Sequence, residues 1–341
     1  MTQFMITTRK AGNDMAFGPA RYLTFDDATG PETSFGSSPR RWVAQLIAQF
    51  PPGPPNNAGD PTRQGDILFL VHGFNVDHAA ARAFHMKCVA GLAAAGWVGQ
   101  VVSYDWPSDG LAFAYLPDRA NARAAASALV TSGIGVLEAA QRADCTINVH
   151  VLAHSMGGFV AQQAFTWAYQ DVPADWKIGQ LLFAAADVDA SVFSAGVFSA
   201  KMFVQHAGRL TAYCNSYDKA LAISNAKRLE LAPRMGRVGL PDDAPAMMCE
   251  VDCSAYFHAA YPNILDQLSP VTSHTFYFDR PEFWQDVALT LAGGIDRSVF
   301  PTREPTLTPN RFDLKPEGAP PAEFRLALAR SASSPSVQPP A

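Results

Sequence analysis

The sequence predicts an α/β protein with a mostly parallel central β-sheet and helices on both faces of that sheet. Two observations lead to this prediction. Short apolar runs alternate along most of the chain with Ala-rich segments of helical spacing, and strands that alternate with helices form parallel sheets. Residues 66–71 (DILFLV) are apolar almost throughout, as expected of a strand that is buried on both faces.

The strength of this alternation divides the chain into three parts. Residues 1–60 have mixed patterns, and we interpret them as an N-terminal extension with short strands and a Pro-rich loop. Residues 61–300 carry the regular alternation and form the predicted α/β domain. Residues 301–341 are rich in Pro, Ser and Ala and have almost no periodicity, so we expect a mobile C-terminal tail.

The secondary structure elements follow in order along these parts. Residues 1–60 predict strands at 3–8 and 21–25 and an apolar stretch at 42–50, whereas the Pro-rich run at 51–57 predicts neither a helix nor a paired strand. The α/β domain predicts strands at residues 66–71, 101–104, 147–152, 180–184, 210–214 and 246–251. Its predicted helices cover residues 78–95, 118–142, a segment ending near 169, 190–206, 219–228 and 281–292.

The composition is that of a globular protein and argues against several classes of function. The formal net charge is −5, and no Lys/Arg run is long enough to indicate nucleic-acid binding. The five cysteines are scattered, which predicts reduced thiols, and Cys249 and Cys253 have no Cys/His pair nearby at zinc spacing. The N-terminus lacks a signal-peptide pattern and no apolar run reaches the ~18 residues of a membrane span, so we expect a cytoplasmic protein.

Ser155 stands where the predicted strand at residues 147–152 gives way to a helix, within the sequence AHSMG. A nucleophile at such a junction needs a tight turn with small residues two positions before and two after, and Ala153 and Gly157 meet this need. The backbone N–H of Met156 is then directed at a developing oxyanion from the N-terminus of the helix. The alternative interpretation is that Ser155 only caps the helix.

A second oxyanion donor is predicted in HGFN, residues 72–75, directly after the buried strand. In hydrolases of this architecture, the loop after that strand supplies a backbone N–H to the oxyanion. Gly73 allows a close backbone turn, and the N–H of Phe74 is the candidate donor. The alternative is an ordinary turn that follows a buried strand.

His274 is the candidate general base, because it lies after the last predicted strand and shortly before the last predicted helix. A nucleophile, an acid and then a histidine is the chain order in hydrolases of this architecture. His258 is the main alternative base. His72 and His154 precede or adjoin Ser155 and are candidates for lining the site.

The acid that would orient His274 is less clearly indicated by the sequence. Asp218 follows the predicted strand at residues 210–214, Asp187 and Asp189 follow the strand before it, and Asp252 follows the last predicted strand. The carboxylate must accept a hydrogen bond from the far ring nitrogen of the histidine, and each of these positions is compatible with that role. We prefer Asp218, with Asp187 or Asp189 as the alternative, and each also fits a helix cap.

Taken together, these motifs resemble the α/β-hydrolase superfamily and, within it, a bacterial family of α/β hydrolases of unknown function. The resemblance extends from about residue 66 to residue 293. It rests on motifs that stand in the same order along the chain: LVHGFN (70–75), YDWPS (104–108), DR (118–119), LAHSMG (152–157), ADVD (186–189) and SYDKAL (216–221). Ala153 stands where the superfamily usually has glycine.

The resemblance implies an α/β-hydrolase fold and a Ser-Asp-His catalytic triad. Carried over position by position, it assigns the triad to Ser155, Asp218 and His274 and the oxyanion hole to the backbone N–H groups of Phe74 and Met156. It implies no particular substrate. It adds nothing to the interpretation of the N-terminal extension or of the C-terminal tail.

We therefore expect a serine hydrolase that cleaves small or polymeric carboxylic esters through an acyl-enzyme, with no metal and no organic cofactor. His72, Asn75, Trp106 and His154 are expected to line the substrate pocket. Residues 190–206 have enough aromatic side chains for a lid, although their helical spacing more often indicates a helix packed on the sheet. An amidase or thioesterase with the same residues is the alternative enzyme, and a binding or scaffold protein on a hydrolase fold is the alternative class.

Overall fold

The computed structural model of the protein describes most of the chain. The described residues are 1–53, 55, 59, 62–108, 115–136, 146–171, 176–227 and 232–315. None of the helices within these ranges is long and apolar enough to cross a membrane.

A parallel β-sheet with antiparallel edges forms the centre of the fold. Its strands, in chain order, are β1 (Gln3–Lys10), β2 (Asn13–Phe25), β3 (Glu32–Ser34), β4 (Pro52–Gly53), β5 (Thr62–Val71), β6 (Gln100–Asp105), β7 (Thr146–His154), β8 (Ile178–Ala184), β9 (Ala207–Cys214), β10 (Met248–Asp252), β11 (Arg303–Pro305) and β12 (Arg311–Leu314). Across the sheet the order is β11-β12-β10-β9-β8-β7-β5-β6-β1-β2-β3, and β4 pairs with β5. Every pair from β12 to β1 is parallel, whereas β11, β2 and β3 run antiparallel to their neighbours. The mostly parallel sheet that the sequence predicts is confirmed.

Helices cover both faces of this sheet. They are α1 (Arg40–Ile47), α2 (His78–Ala94), α3 (Tyr115–Ala128), α4 (Met156–Asp171), α5 (Phe198–His206), α6 (Lys219–Lys227), α7 (Met235–Val238), α8 (Ser254–Ala260), α9 (Pro270–Thr275) and α10 (Pro281–Ala292). A π-helical segment, Leu129–Ile134, follows α3, and 3₁₀ turns lie at Ala190–Phe193, Leu265–Gln267, Phe276–Asp279 and Arg297–Val299.

Strand β5 shows how the two faces are separated. Successive side chains of a strand point to opposite faces. Ile67 and Phe69 therefore join the apolar core that contains α3 and α4, while Leu68 and Leu70 join the core that contains α2 and α10. The continuous apolar run in the sequence is thus explained by a strand that is buried on both sides.

The N-terminal extension contributes strands to the same sheet. β1 lies parallel to β6, with Thr7 opposite Asp105, and β2 and β3 continue the sheet beyond it. Helix α1 packs against these strands through Trp42, whose indole N–H donates to the Leu23 carbonyl oxygen at 2.8 Å. The extension therefore lies beside the strands that are expected to carry the site.

The expectation that residues 51–57 contain no paired strand is wrong at β4. This two-residue strand pairs antiparallel with the start of β5. The Pro51 carbonyl oxygen accepts a hydrogen bond from the Gln64 N–H at 3.2 Å. A proline lacks an N–H but keeps its carbonyl acceptor, so it can stand beside a strand in this way.

Residues 190–206 form a 3₁₀ turn followed by α5, and not the single helix that the sequence predicts. The chain breaks between them at Gly196, whose φ of 88° lies in the left-handed region. Phe193 and Phe203 stack on each other at 5.4 Å, and both contact Phe183 of β8, at 5.5 and 5.8 Å. Of the two interpretations of this segment, a lid or a helix packed on the sheet, the structure shows the packed one.

Part of the expected C-terminal tail belongs to the sheet. β12 pairs parallel with β10, and its side chains Phe312 and Leu314 are buried. A strand of four residues among Pro- and Thr-rich neighbours is too short for its alternation to be visible in the sequence. Residues 316–341, where the sequence also predicts a tail, lie outside the described residues.

A buried ion pair attaches this C-terminal segment to α10. The Arg303 guanidinium donates to both carboxylate oxygens of Asp286, from Nε at 2.8 Å and from Nη2 at 2.7 Å. The same carboxylate accepts from the hydroxyls of Thr302 and Tyr213, each at 2.6 Å. All four side chains are buried, so the carboxylate depends on these donors for its solvation.

We expect Arg303→Met to lower the free energy of unfolding by about 3–5 kcal/mol, because it leaves the Asp286 charge buried without its cation. Urea unfolding of the two proteins measures this difference. The double variant Arg303→Met/Asp286→Leu is the control, and it should recover a large part of the loss. Equal stability of Arg303→Met and the wild type would contradict the role assigned to the pair.

Candidate active site

The candidate site lies where the parallel strands end at one edge of the sheet. The loops after β5, β6, β7, β8 and β9 all leave the sheet at this edge, since these strands run parallel. In open α/β sheets, ligands bind at the carboxyl ends of the strands. The predicted site residues that follow β5, β7 and β9 therefore lie at the edge of the sheet where a ligand is expected to bind.

Ser155 occupies a strained turn between β7 and α4. Its φ is 55°, in the left-handed region that few residues other than glycine adopt. The turn is held by the backbone: the Ser155 N–H donates to Ala184 O at 3.1 Å, and its carbonyl accepts from the N–H groups of Gly158 and Asp187, each at 2.9 Å. An ordinary helix cap has β-region geometry, so the turn matches a nucleophile elbow better than a cap.

The small residues around this turn are required by close backbone contacts. A Cβ on Gly157 would lie 2.4 Å from the Val71 carbonyl oxygen, and one on Gly73 would lie 2.7 Å from the Ser155 Cβ. Real Cβ atoms do not approach other atoms so closely. The loop after β5 and the turn after β7 therefore touch directly at Ser155.

His274 and Asp218 form a buried hydrogen-bonded pair. The His274 Nδ1 lies 2.6 Å from Asp218 Oδ2, and Asp218 is fully buried. The other oxygen of Asp218 accepts from the Leu221 N–H at 2.9 Å, which caps α6. Burial lowers the pKa of His274, but the adjacent Asp218 carboxylate outweighs burial, so the pKa lies above its ordinary value.

The alternative acids are engaged elsewhere. The Asp187 carboxylate accepts from the Ser224 hydroxyl at 3.0 Å and lies 3.5 Å from Arg234 Nε. Asp189 forms an ion pair with the same guanidinium. The alternative base His258 is exposed on α8, with its ring 5.9 Å from that of Tyr217. Of the candidates, the structure brings Asp218 to His274.

The link between the serine and the histidine is not made in this structure. The Ser155 hydroxyl has no hydrogen bond to any described residue. His154, which precedes Ser155 in the chain, contacts His274. Its ring lies 4.8 Å from the His274 ring, and its Nε2 lies 3.4 Å from the His274 carbonyl oxygen. Burial holds the pKa of His154 well below its ordinary value.

The predicted oxyanion donors belong to the two segments that meet at Ser155. Met156 is the first residue of α4, and the N–H groups of a first helical turn have no acceptor within the helix. Phe74 follows Gly73 in the loop that touches Ser155, and its side chain is partly buried against the core. Both N–H groups therefore belong to segments that contact the serine.

The four predicted pocket residues have different surroundings. His72 and Trp106 stack at 5.5 Å, and the Trp106 indole N–H donates to His72 O at 2.9 Å. Both side chains are buried, as are those of Ser155 and His274, and whether they line a substrate pocket stays a prediction. His154 is also almost covered, between the rings of Phe84 and Phe278. Asn75 is exposed at the rim, with a φ of 58°.

Two positioning residues of the His274 segment are not singled out by the sequence. Asn215 donates from Nδ2 to the Ser273 carbonyl oxygen at 3.1 Å, and the Lys219 N–H donates to the Ser273 hydroxyl at 3.0 Å. These bonds join the end of β9 and the start of α6 to α9. The position of Asn215 directly after a buried strand could have indicated a site residue. Its partner Ser273 is 58 residues away, so the sequence does not predict the bond between them.

A second cluster at the sheet edge is centred on Asp105, the last residue of β6. Burial alone would raise the pKa of its carboxyl, but hydrogen bonds from His72 and His78 and the charge of Arg9 hold it well below its ordinary value. His78 lies between Asp105 and Glu32. Burial lowers the pKa of His78, but the two carboxylates outweigh it and raise the pKa to about 9.

Comparison with known proteins adds a family match. The family model described as α/β hydrolase of unknown function (DUF900) matches residues 60–249. No curated protein matches the sequence. Among solved structures, the peroxisomal α/β-hydrolase Lpx1 of Saccharomyces cerevisiae is similar at 10% identity and a TM-score of 0.37, over 90% of this chain and 93% of that one.

Two further solved structures are similar. One is carboxyl esterase 2 of the mycorrhizal fungus Tuber melanosporum, at 12% identity and a TM-score of 0.31, over 74% of this chain and 66% of that one. The other is a protein described as a cell surface hydrolase of Lactobacillus plantarum WCFS1, at 11% identity and a TM-score of 0.33, over 57% of this chain and 83% of that one. At TM-scores this low, the likenesses carry no argument about activity or substrate.

Proposed function

Because the chain belongs to the family of α/β hydrolases of unknown function (DUF900), whose model matches more than half of it, we propose that it is a serine hydrolase of carboxylic esters. The observation that carries the proposal is the buried His274–Asp218 hydrogen bond of 2.6 Å at the sheet edge where the strained Ser155 turn lies. A histidine fixed through Nδ1 leaves its Nε2 lone pair available, which is the arrangement a general base needs.

In the proposed first step, the Ser155 hydroxyl attacks the ester carbonyl carbon and His274 Nε2 takes its proton. Asp218 stabilises the imidazolium that forms. The tetrahedral oxyanion is stabilised by the N–H groups of Phe74 and Met156, each such donor lowering the barrier by ~3 kcal/mol. His274 then protonates the leaving alcohol, and an acyl-enzyme remains on Ser155.

In the second step, water attacks the acyl carbon while His274 again acts as the base. The serine is regenerated and the carboxylic acid leaves. Free enzymes often lack a catalytic hydrogen bond that forms only with substrate. We propose that the Ser155–His274 bond is of this kind.

The choice of esters over amides and thioesters is tested with substrates that differ in one atom. We expect para-nitrophenyl esters of several acyl chain lengths to be hydrolysed and the matched para-nitroanilides to be resistant, because anilides have the poorer leaving group. Acyl thioesters of the same lengths form the third series. Faster turnover of anilides or thioesters than of esters would favour the alternative enzymes, and no turnover of any series would favour a binding protein.

The rate of ester hydrolysis should depend on pH through His274. The base must be neutral to act, so kcat/KM should rise with pH through an apparent pKa above the ~6.5 of free histidine. Asp218→Asn removes the charge that raises this pKa, so the apparent pKa of the residual activity should fall. Profiles of kcat/KM between pH 5 and 9 measure both values, and a flat profile in the wild type would contradict a histidine base.

Several predictions from the sequence stay predictions. They are the cytoplasmic location, the absence of a cofactor and of nucleic-acid binding, and the three-part division of the chain. In the structure, the sheet takes strands from all three parts.

A further inference from the structure

Asp105 is bound on all sides by groups from other segments. Its Oδ1 accepts from Arg9 Nε at 2.7 Å and lies 3.1 Å from His72 Nε2. Its Oδ2 accepts from the Thr7 hydroxyl at 2.9 Å and lies 2.7 Å from His78 Nδ1. His72 and His78 stand at the two ends of the loop between β5 and α2, so one buried carboxylate contacts both ends of that loop.

The middle of this β5–α2 loop (residues 72–77) is held as well. The Val76 carbonyl oxygen accepts from Arg9 Nη2 at 2.6 Å and from the Ser108 hydroxyl at 3.0 Å. The Val76 N–H lies 3.0 Å from the same hydroxyl oxygen. The loop is therefore fixed at its start, its middle and its end, and Arg9 contacts both the carboxylate and the middle.

Arg9 reaches three acceptors with one planar guanidinium. Besides Asp105 and Val76 O, its Nη1 donates to the Asp14 carbonyl oxygen at 2.9 Å. The side chain is 1% exposed, so these bonds are made out of contact with water. A lysine at this position would keep the charge but could not present three donors in this fixed fork.

We propose that Arg9, from the N-terminal extension, is a positioning residue for the oxyanion hole. The proposal rests on the proposed function, in which the Phe74 N–H binds the oxyanion. Phe74 lies between Gly73, which touches Ser155, and Asn75, which is exposed and has a φ of 58°. Because part of this loop is exposed, bonds from buried groups are needed to keep the Phe74 N–H in place. A misplacement of ~1 Å can cost ~10²-fold in rate.

The competing interpretation is that Arg9 only anchors strand β1. Arg303 provides a matched control, because it is also a buried arginine bonded through Nε to a buried aspartate, Asp286. Arg303 attaches the C-terminal strands at the opposite edge of the sheet from β1. If anchoring is all that Arg9 does, the two arginines should behave alike.

The experiment compares Arg9→Lys with Arg303→Lys in the full-length protein. At a temperature where both are folded, kcat and KM for a para-nitrophenyl ester are measured, together with amide exchange of the peptide that contains the β5–α2 loop. We expect Arg9→Lys to lower kcat ~10²-fold with KM changed less than ~3-fold, and to accelerate exchange in the loop. Arg303→Lys should keep kcat within ~2-fold of the wild type and leave exchange in the loop unchanged.

Ser108→Ala is the second variant, in case Arg9→Lys does not fold. It removes the hydroxyl bonds to Val76 without disturbing a charge and should lower kcat ~10-fold. The proposal is overturned if Arg9→Lys keeps the wild-type kcat, or if it loses no more kcat than Arg303→Lys does. If Arg9→Lys is unfolded, the proposal is overturned when Ser108→Ala keeps the wild-type kcat. An inactive wild type overturns the proposed function, and loop exchange then decides about Arg9: equal exchange in the two lysine variants overturns its positioning role.

Discussion

Ser155→Ala is expected to lower kcat for ester hydrolysis about 10⁶-fold, since the loss of a nucleophile costs about as much as the loss of a whole triad. The fold should persist, because the turn at Ser155 is held by backbone bonds to Ala184, Gly158 and Asp187 that alanine also makes. Steady-state kinetics and the melting temperature together measure the two effects.

Ser103→Ala is the matched control for this variant. Ser103 is also buried, on β6, and its hydroxyl bonds to the ring of His85 at 2.8 Å. We expect it to lose about 1 kcal/mol of stability and to keep wild-type kcat. A kcat for Ser155→Ala within tenfold of the wild type would contradict Ser155 as nucleophile.

Asp218→Asn is expected to lower kcat about 10⁴-fold. An amide can still accept from the Leu221 N–H and so keep the cap of α6, but it no longer fixes His274 in the tautomer that presents a lone pair at Nε2. Asp187→Asn is the matched variant. It should cost stability through the Arg234 pair while kcat stays within about tenfold of the wild type.

The two asparagine variants must be compared for both kcat and the free energy of unfolding. Loss of kcat in Asp218→Asn without a matching loss of stability supports its role as the acid. If Asp187→Asn lost thousands-fold while Asp218→Asn kept most of its activity, the acid would lie after β8, and Asp218 would be left with capping α6.

The elements that the sequence predicts well are those whose signal is local. Residues 66–71 are buried on both faces, and their apolar run predicts this burial. The tight turn at Ser155 is predicted by the small residues on either side of the serine. Chain order limits the acid partner of His274 to a few aspartates, but it does not select Asp218 among them. The acids after β8 and β9 reach the same sheet edge, and the partners are 56 residues apart.

What the sequence does not predict depends on contacts between distant segments. Arg9 lies 96 residues from Asp105, and nothing in the local pattern around it indicates a partner at the end of β6. The stacking of His72 on Trp106 and the burial of both rings likewise depend on a contact between distant segments. Strand β12 was missed for a related reason, since its four residues become part of the sheet by pairing with β10 and β11.

Reaction with a fluorophosphonate probe tests the central claim most directly, because such probes modify only serines that are activated as nucleophiles. The protein is incubated with the probe, digested, and the modified peptide is identified by mass spectrometry. We expect one adduct, on Ser155, that is absent from Ser155→Ala and forms far more slowly in His274→Ala. A wild-type protein that stays unmodified, or that is modified at another serine, would contradict the assignment of Ser155 as the nucleophile of this hydrolase.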